Sequence, residues 1–245
     1  MRYALIHSAD PARVPATPEQ IRAVREHTAS WTGELDTAGV RLHGSRLHPD
    51  YATTVRVRDG RTLISDGPFA ETKEQVAGYD VLECGSLDEA VRHAARHPAP
   101  PIGATEVRAF PVNAPGGRLP EPAEGRTRYL MLVLTDPSAG PAVFEDLERP
   151  AAWAADADSR GLRVFGSELE PPETARTLRK RDGNVLVTDG PFTEAKEQIA
   201  GFDLLDCADL DEALEVAARH PMARGGILEL RPLWDGDDPA NHLPV

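Results

Sequence analysis

The sequence predicts an α+β fold built as two tandem ferredoxin-like βαββαβ domains, each with an inserted hairpin. Three observations predict it: an internal repeat, alternating strand and helix signals within each copy, and a two-residue hairpin turn at the same place in both. Asp66-Gly-Pro-Phe-Ala-Glu-Thr-Lys-Glu-Gln75 returns as Asp189-Gly-Pro-Phe-Thr-Glu-Ala-Lys-Glu-Gln198, and Asp66–Ala99 aligned with Asp189–Met222 gives 22 identities in 34 positions without a gap. Two copies of a unit with its own core predict a pseudo-symmetric pair within one chain. One such sheet leaves a face open, and two sheets packed face to face cover both. The repeat is also an internal control: agreement between copies marks what the fold demands, and disagreement marks where function has diverged.

In the first copy, Arg2–His7 reads as a strand. Thr17-Pro18-Glu19-Gln20 supplies a helix cap with proline at the first helical position. The helix runs to about Ala38, with Ile21, Val24, Thr28, Trp31 and Leu35 on one face, and Gly39 takes the left-handed cap position. Val40–Leu47 returns as a strand. Thr53–Arg58 and Arg61–Ser65 flank Asp59-Gly60, a favoured hairpin turn. Gln75–Cys84 is a further strand, Ser86-Leu-Asp-Glu89 caps a second helix that stops before Pro98, and Thr105–Phe110 closes the copy.

The second copy repeats the scheme: Tyr129–Leu134, a helical region ending before Gly161, the turn Asp182-Gly183, Ile199–Cys207, Leu210–His220 and Ile227–Pro232. Pro150 falls where the first copy has Thr28, so it either kinks that helix or marks its start. The expected domains are 1–111 and 127–233, joined by a Pro/Gly-rich linker at 112–126 and followed by an acidic tail at 234–245.

Composition narrows the function. The net charge of −13, from 40 acidic against 27 basic residues, disfavours direct binding to nucleic acid. No apolar run reaches the length of a membrane span. The apolar start Met1–His7 is ended by Asp10-Pro11 and is echoed inside the chain by Tyr129–Leu134, so it reads as a strand and the expected location is cytoplasmic. Cys84 and Cys207 occupy equivalent positions, as small buried hydrophobes rather than disulfide partners.

The string Asp66–Glu74 resembles the signature of the YCII-related proteins, specifically their DGPF (DGPFAETKE) branch. The likeness extends to Arg2-Tyr-Ala-Leu and Arg128-Tyr-Leu-Met, to the Gly-Ser-x-Leu strands at Gly44–Leu47 and Gly166–Leu169, and to Leu-Asp-Glu-Ala before each second helix. It implies a dimeric α+β barrel, here fused into one polypeptide as a pseudo-dimer. It implies no firm activity. Some YCII relatives are small-molecule enzymes with a His–Asp pair, and DGPF proteins tend to be associated with extracytoplasmic-function sigma factors. His27 in Val24-Arg-Glu-His27 matches the family's histidine. The partner aspartate is missing where the pattern puts it, because His97-Pro98 and His220-Pro221 stand there, and Arg149 replaces His27 in the second copy.

The histidines are unevenly spread: His7, His27, His43, His48, His93 and His97 lie in the first repeat and His220 in the second. Imidazole serves as general acid or base near neutrality when a carboxylate or carbonyl orients it. His27 beside the Val24–Trp31 stripe is the candidate general base, and His97 joins it. Asp36 is too far along the helix to hydrogen-bond His27. Asp66-Gly-Pro-Phe69 reads as an Asx turn with a packed phenylalanine, while Asp66, Phe69, Glu71 and Lys73 could also line a pocket mouth. Trp31 is either core or a ligand-stacking platform. His43 and His48 point to opposite faces of one strand and lack a completing ligand set, so no metal is expected. Without a nucleotide, flavin or nicotinamide fingerprint, any chemistry is cofactor-free.

Two readings follow. One is a cofactor-independent enzyme or binder of a small polar metabolite, its site mainly in the first repeat. The other is a non-catalytic accessory or regulatory protein acting with a sigma factor. Further homo-oligomerisation is compatible with both.

Overall fold

The computed structural model describes residues 1–14, 17–48, 50–69, 74–136, 150–192 and 197–234. The first copy contributes β1 (Arg2–Ala9), α1 (Pro18–Thr37), β2 (Arg41–Leu47), β3 (Thr53–Arg58), β4 (Arg61–Asp66), β5 (Gln75–Glu83), α2 (Leu87–Ala94) and β6 (Gly103–Ala109). The second contributes β7 (Thr127–Thr135), α3 (Pro150–Ser159), β8 (Arg163–Glu168), β9 (Arg176–Arg181), β10 (Asn184–Asp189), β11 (Ile199–Cys207), α4 (Leu210–Arg219), α5 (Met222–Gly225) and β12 (Gly226–Trp234). The result is a mixed α/β architecture dominated by antiparallel sheet.

Local chemistry sets the element ends. Thr17 and Gln20 exchange side-chain and backbone bonds in a capping box, and Gly39 takes a φ of 69° beyond the end of α1. The turns Asp59-Gly60 and Asp182-Gly183 have positive φ at both residues, matching the twist of the strands they join. On α1 the apolar stripe is used only at its C-terminal end: Trp31 and Leu35 are buried, while Ile21 is exposed.

Each copy orders its principal strands alike, β6-β1-β5-β2 and β12-β7-β11-β8. Strand alternation then divides the side chains. Ala4, Ile6, Tyr79 and Val81 join Leu130, Leu132, Phe165 and Phe202 in a core shared by both repeats. Tyr3, Leu5 and Leu82 face the other way, against Trp31, Leu35, Ala90 and Ala94. Tyr129, Met131 and Leu205 likewise pack on Ala213, Val216 and Ala217.

The inserted hairpins do not complete their own sheets. β3 pairs with β12, and β9 pairs with β6, so each repeat's hairpin extends the sheet of the other. β2 also meets β12, with Leu47 opposite Leu233, and at the equivalent place Glu170 N donates to Ala109 O at 2.9 Å. Among the described residues, one sheet of twelve strands therefore runs through both repeats, not two separate sheets.

The repeated Asp-Gly-Pro-Phe segment fastens this exchange. Phe69 N donates to Glu229 Oε2 at 2.9 Å, and Phe192 N donates to Glu106 Oε2 at 3.1 Å. Each glutamate is also held by a buried arginine of its own strand, Arg231 Nε at 2.6 Å and Arg108 Nε at 2.8 Å. Gly67 and Gly190 turn the chain at φ values of 95° and 89°, and their carbonyls accept from Thr54 and Thr177. The expected Asx turn is absent: Asp66 is exposed and its carboxylate accepts no hydrogen bond. Backbone and glutamate hold the turn instead.

The linker is packed, not a free spacer. Leu119 lies against the shared core and Arg118 donates to Asp36 O. Both cysteines are free and buried, and burial raises their thiols to about 11 at Cys84 and about 12 at Cys207.

Glu229→Ala leaves Arg231 buried without its counter-charge and the Phe69 N–H unpaired. We expect urea unfolding to show a loss of about 3–5 kcal/mol, with both repeats melting in one transition. A separate early transition in one repeat would contradict the exchange. A protease site placed at Gly116-Gly117 should yield two fragments that still elute together; fragments that separate without denaturant would contradict it equally.

Candidate functional site

The helix side of the first sheet carries a polar cluster inside an otherwise apolar layer. His7 enters from β1, Asp80 from β5, Thr105 from β6 and Arg41 from β2, while His97 follows α2 and Trp31 descends from α1. Sheet register brings the first three together, because β1 lies between β5 and β6 and His7 stands opposite Thr105. His7 Nε2 is 2.9 Å from Asp80 Oδ2, and Nδ1 is 2.9 Å from Thr105 Oγ1. A carboxylate only accepts, so the neutral ring carries its proton on Nε2 and accepts the Thr105 hydroxyl at Nδ1. His7, Asp80 and Thr105 are all buried.

Asp80 is fixed from its other side. Arg41 Nε donates to Oδ1 at 2.5 Å, and the same guanidinium reaches Gly44 O at 2.8 Å and Asp36 at 3.2 Å. Gly44 is required here, since a Cβ would collide with Asp80 Oδ1. This gives the Gly-Ser-x-Leu strand its physical reason.

His97 lies flat on His7, with ring centroids 3.9 Å apart and planes 13° from parallel, and Trp31 meets it edge-on at 4.7 Å. Its Nδ1 accepts from Ala99 N at 3.1 Å, which leaves the proton on Nε2. Burial, and then the neighbouring His7, His27 and Arg41, hold His97 well below the usual histidine range. The ring is neutral at neutral pH and presents an N–H donor.

His7, Asp80 and His97 place ligand atoms within 4.8 Å of one another, so a metal has to be considered. The geometry argues against one. Stacked parallel rings aim their in-plane lone pairs side by side, and both His7 nitrogens are already engaged. His43 is no ligand either: its ring packs edge-on to Tyr79 and Phe165, and neither nitrogen makes a hydrogen bond.

Of the residues expected from sequence, the structure brings His97 and Trp31 together around His7. His27 lies one turn before Trp31 on an exposed face of α1, without a hydrogen bond. Asp66 and Phe69 belong to the loop that docks on Glu229. Glu71, Lys73 and Arg149 lie outside the described residues. Among the described residues, Asp80 is the carboxylate that hydrogen-bonds His7. Sequence reasoning missed His7, Asp80, Thr105 and Arg41 as a group. The available signal was a histidine and an aspartate set inside apolar strands, Ala4-Leu-Ile-His7 and Tyr79-Asp-Val-Leu82.

The second repeat keeps part of this cluster. Asp203 accepts Arg163 Nε at 2.6 Å, His220 Nδ1 accepts from Met222 N at 3.1 Å, and Trp153 meets His220 edge-on. Val133 stands where His7 does, opposite Gly201 as His7 is opposite Gly78, and Leu228 replaces Thr105. Burial raises Asp203 to about 6 against the pull of Arg163, and lowers His220 and His43 to about 4.

These shifts set the acid response. Between about pH 6 and pH 4 the unfolded chain binds protons at His43 and His220 that the native protein refuses, so stability falls as pH drops. Asp203 opposes the loss, because in this window only its native form is protonated. Asp203→Asn should therefore steepen the acid loss by about 1.4 kcal/mol per pH unit, read by chemical denaturation across that window. Equal slopes in the two proteins would refute the assignment.

An uncharacterized protein of Rhizobium meliloti (strain 1021) is 37% identical over 107 residues, an alignment taking in 37% of this chain and 86% of the relative. The YCII-related domain matches residues 1–112 and again residues 127–236. Together these matches take in most of the sequence, and the chain belongs to the YCII-related domain family with the domain present twice.

Proposed function

We propose that the first repeat binds a small polar metabolite and acts on it by proton transfer, without a cofactor. One observation carries this reading: the Thr105–His7–Asp80 chain exists in one copy only. A polar network needed for folding would be kept in both copies, as the Glu106 and Glu229 anchors are. Burying three polar groups in an apolar layer is costly, and the second repeat folds with Val133 and Leu228 in place of two of them.

In this reading His7 is the base. A substrate X–H that displaces the Thr105 hydroxyl from Nδ1 gives its proton to His7, and Asp80 receives the second N–H of the resulting imidazolium. Arg41 and Gly44 hold Asp80 in place. His97 offers its Nε2–H to an acceptor on the substrate, Trp31 walls the site, and His27 stands at its mouth. The strand exchange supports a further reading of the two copies as ferredoxin-like units forming a pseudo-dimeric barrel. The Asp66–Glu74 string supports the DGPF branch.

A thermal-shift screen of small polar metabolites should find one that stabilises the wild-type protein. His7→Gln and Asp80→Asn should lower turnover of that metabolite by about 10²–10⁴-fold, while His27→Ala, at the mouth, should change it less. Turnover indifferent to His7→Gln in a folded variant would refute the assignment. If no metabolite stabilises the wild type and a sigma factor co-purifies, the accessory reading replaces it.

A further inference from the structure

The second repeat preserves the walls of the site while lacking the residue that fills it. His220 and Trp153 hold the same mutual arrangement as His97 and Trp31, at 4.4 Å and 77° against 4.7 Å and 78°. The arginine on the carboxylate is equally close, 2.6 Å in one copy and 2.5 Å in the other. The backbone donor on the histidine Nδ1 lies at 3.1 Å in both. The imidazole of His7, which spans the aspartate and stacks on the second histidine, is absent, and so is the Thr105 hydroxyl that it accepts.

In its place lies an open cleft of about 1100 Å³, bounded by Trp153, Arg163, Asp203 and His220 with apolar walls at Leu169 and Ile199. Asp203 and His220 are 5% and 4% exposed. Each keeps one unused polar atom: Asp203 Oδ2, the counterpart of the Asp80 oxygen that receives His7, and His220 Nε2. A carboxylate oxygen and an imidazole N–H without protein partners, on two buried residues that line a roomy cleft, define complementary chemistry.

We propose that the second repeat binds a flat heteroaromatic molecule bearing a ring N–H, which stacks on His220 and donates to Asp203. His7 makes both of these contacts in the first repeat, supplied there by the protein and here by a ligand. The size of the cleft allows substituents beyond a single ring, lying along Leu169 and Ile199. The rise of Asp203 to about 6 by burial fits a carboxyl lacking its second donor. The inference does not depend on which reaction the first repeat performs.

The test uses benzimidazole, a planar ring with an N–H, and benzofuran, its counterpart without one. The full chain is titrated while following the indole N–H of Trp153, which donates to Val216 O and is assigned with Trp153→Phe. Benzimidazole should move that signal saturably, and benzofuran should bind at least about tenfold more weakly. Asp203→Asn should weaken benzimidazole by a similar factor. Val133→His, which restores the missing imidazole, and Val133→Phe should both abolish binding. If benzofuran moves the signal equally, or Trp153 does not respond, the proposal fails. Should Asp203→Asn not fold, the Val133 variants decide: benzimidazole affinity unchanged in either one overturns it.

Discussion

Two buried glutamates accepting backbone N–H groups from the opposite repeat are the contacts on which the rest of the structure depends. Glu229 takes Phe69 N and Glu106 takes Phe192 N, each glutamate neutralised by an arginine on its own strand. A charge in this position is stable only if both its Coulomb partner and its hydrogen bonds are in place. The Asp-Gly-Pro-Phe loop of one copy must therefore dock before the sheet edge of the other is complete. That docking fixes where β3 and β9 lie, since each hairpin runs directly into one of these loops. Neither repeat can finish its sheet alone, and the shared core of Phe165, Phe202, Tyr79 and their neighbours follows from the same exchange.

Much of the fold was legible in the sequence because local signals there are strong and appear twice. The capping box at Thr17, the glycine after α1 and the two Asp-Gly turns all act over a few residues, and all stand where the pattern places them. The exchange of hairpins was not legible. A hairpin reads the same whichever sheet it joins, and the partner is chosen by Glu106 and Glu229, more than a hundred and fifty residues from Phe69 in one case. The same limit applies to the site. His97 and Trp31 could be singled out as a histidine before proline and a tryptophan on a helical stripe. Their link to Asp80 runs through His7, which only β-sheet register connects to it. His27 drew attention through family likeness, yet the exposed N-terminal part of α1 gives it no carboxylate.

Strand alternation explains how one chain can keep its two halves together and still let their sites differ. Along β6, Thr105 and Val107 face the helices while Glu106 and Arg108 face the interior shared by the repeats. Along β1, His7 shares the helix side with Tyr3 and Leu5, and Ala4 and Ile6 take the other. The anchor and the candidate site therefore use neighbouring residues on opposite faces of the same strands. A change from His7 to valine alters one face without touching the other. A change at Glu106 would undo the assembly.

Duplication within one polypeptide turns this separation into an opportunity. In a symmetric dimer of single domains, both copies of a strand are encoded once, so a histidine on β1 appears twice or not at all. Here the interior face has kept Glu and Arg in both copies because each serves the loop of its neighbour. The helix face has been free to differ, with the imidazole in one copy and valine in the other. Asp203, His220, Trp153 and Arg163 have nevertheless remained around the emptied position, in the same geometry as their counterparts. Had that face ceased to matter, a buried aspartate with one carboxylate oxygen lacking a protein partner at the cleft would be an avoidable cost, since an apolar residue of similar size would fill the layer more stably. Its persistence indicates that the second helix face still meets a polar group, one that the chain itself no longer provides.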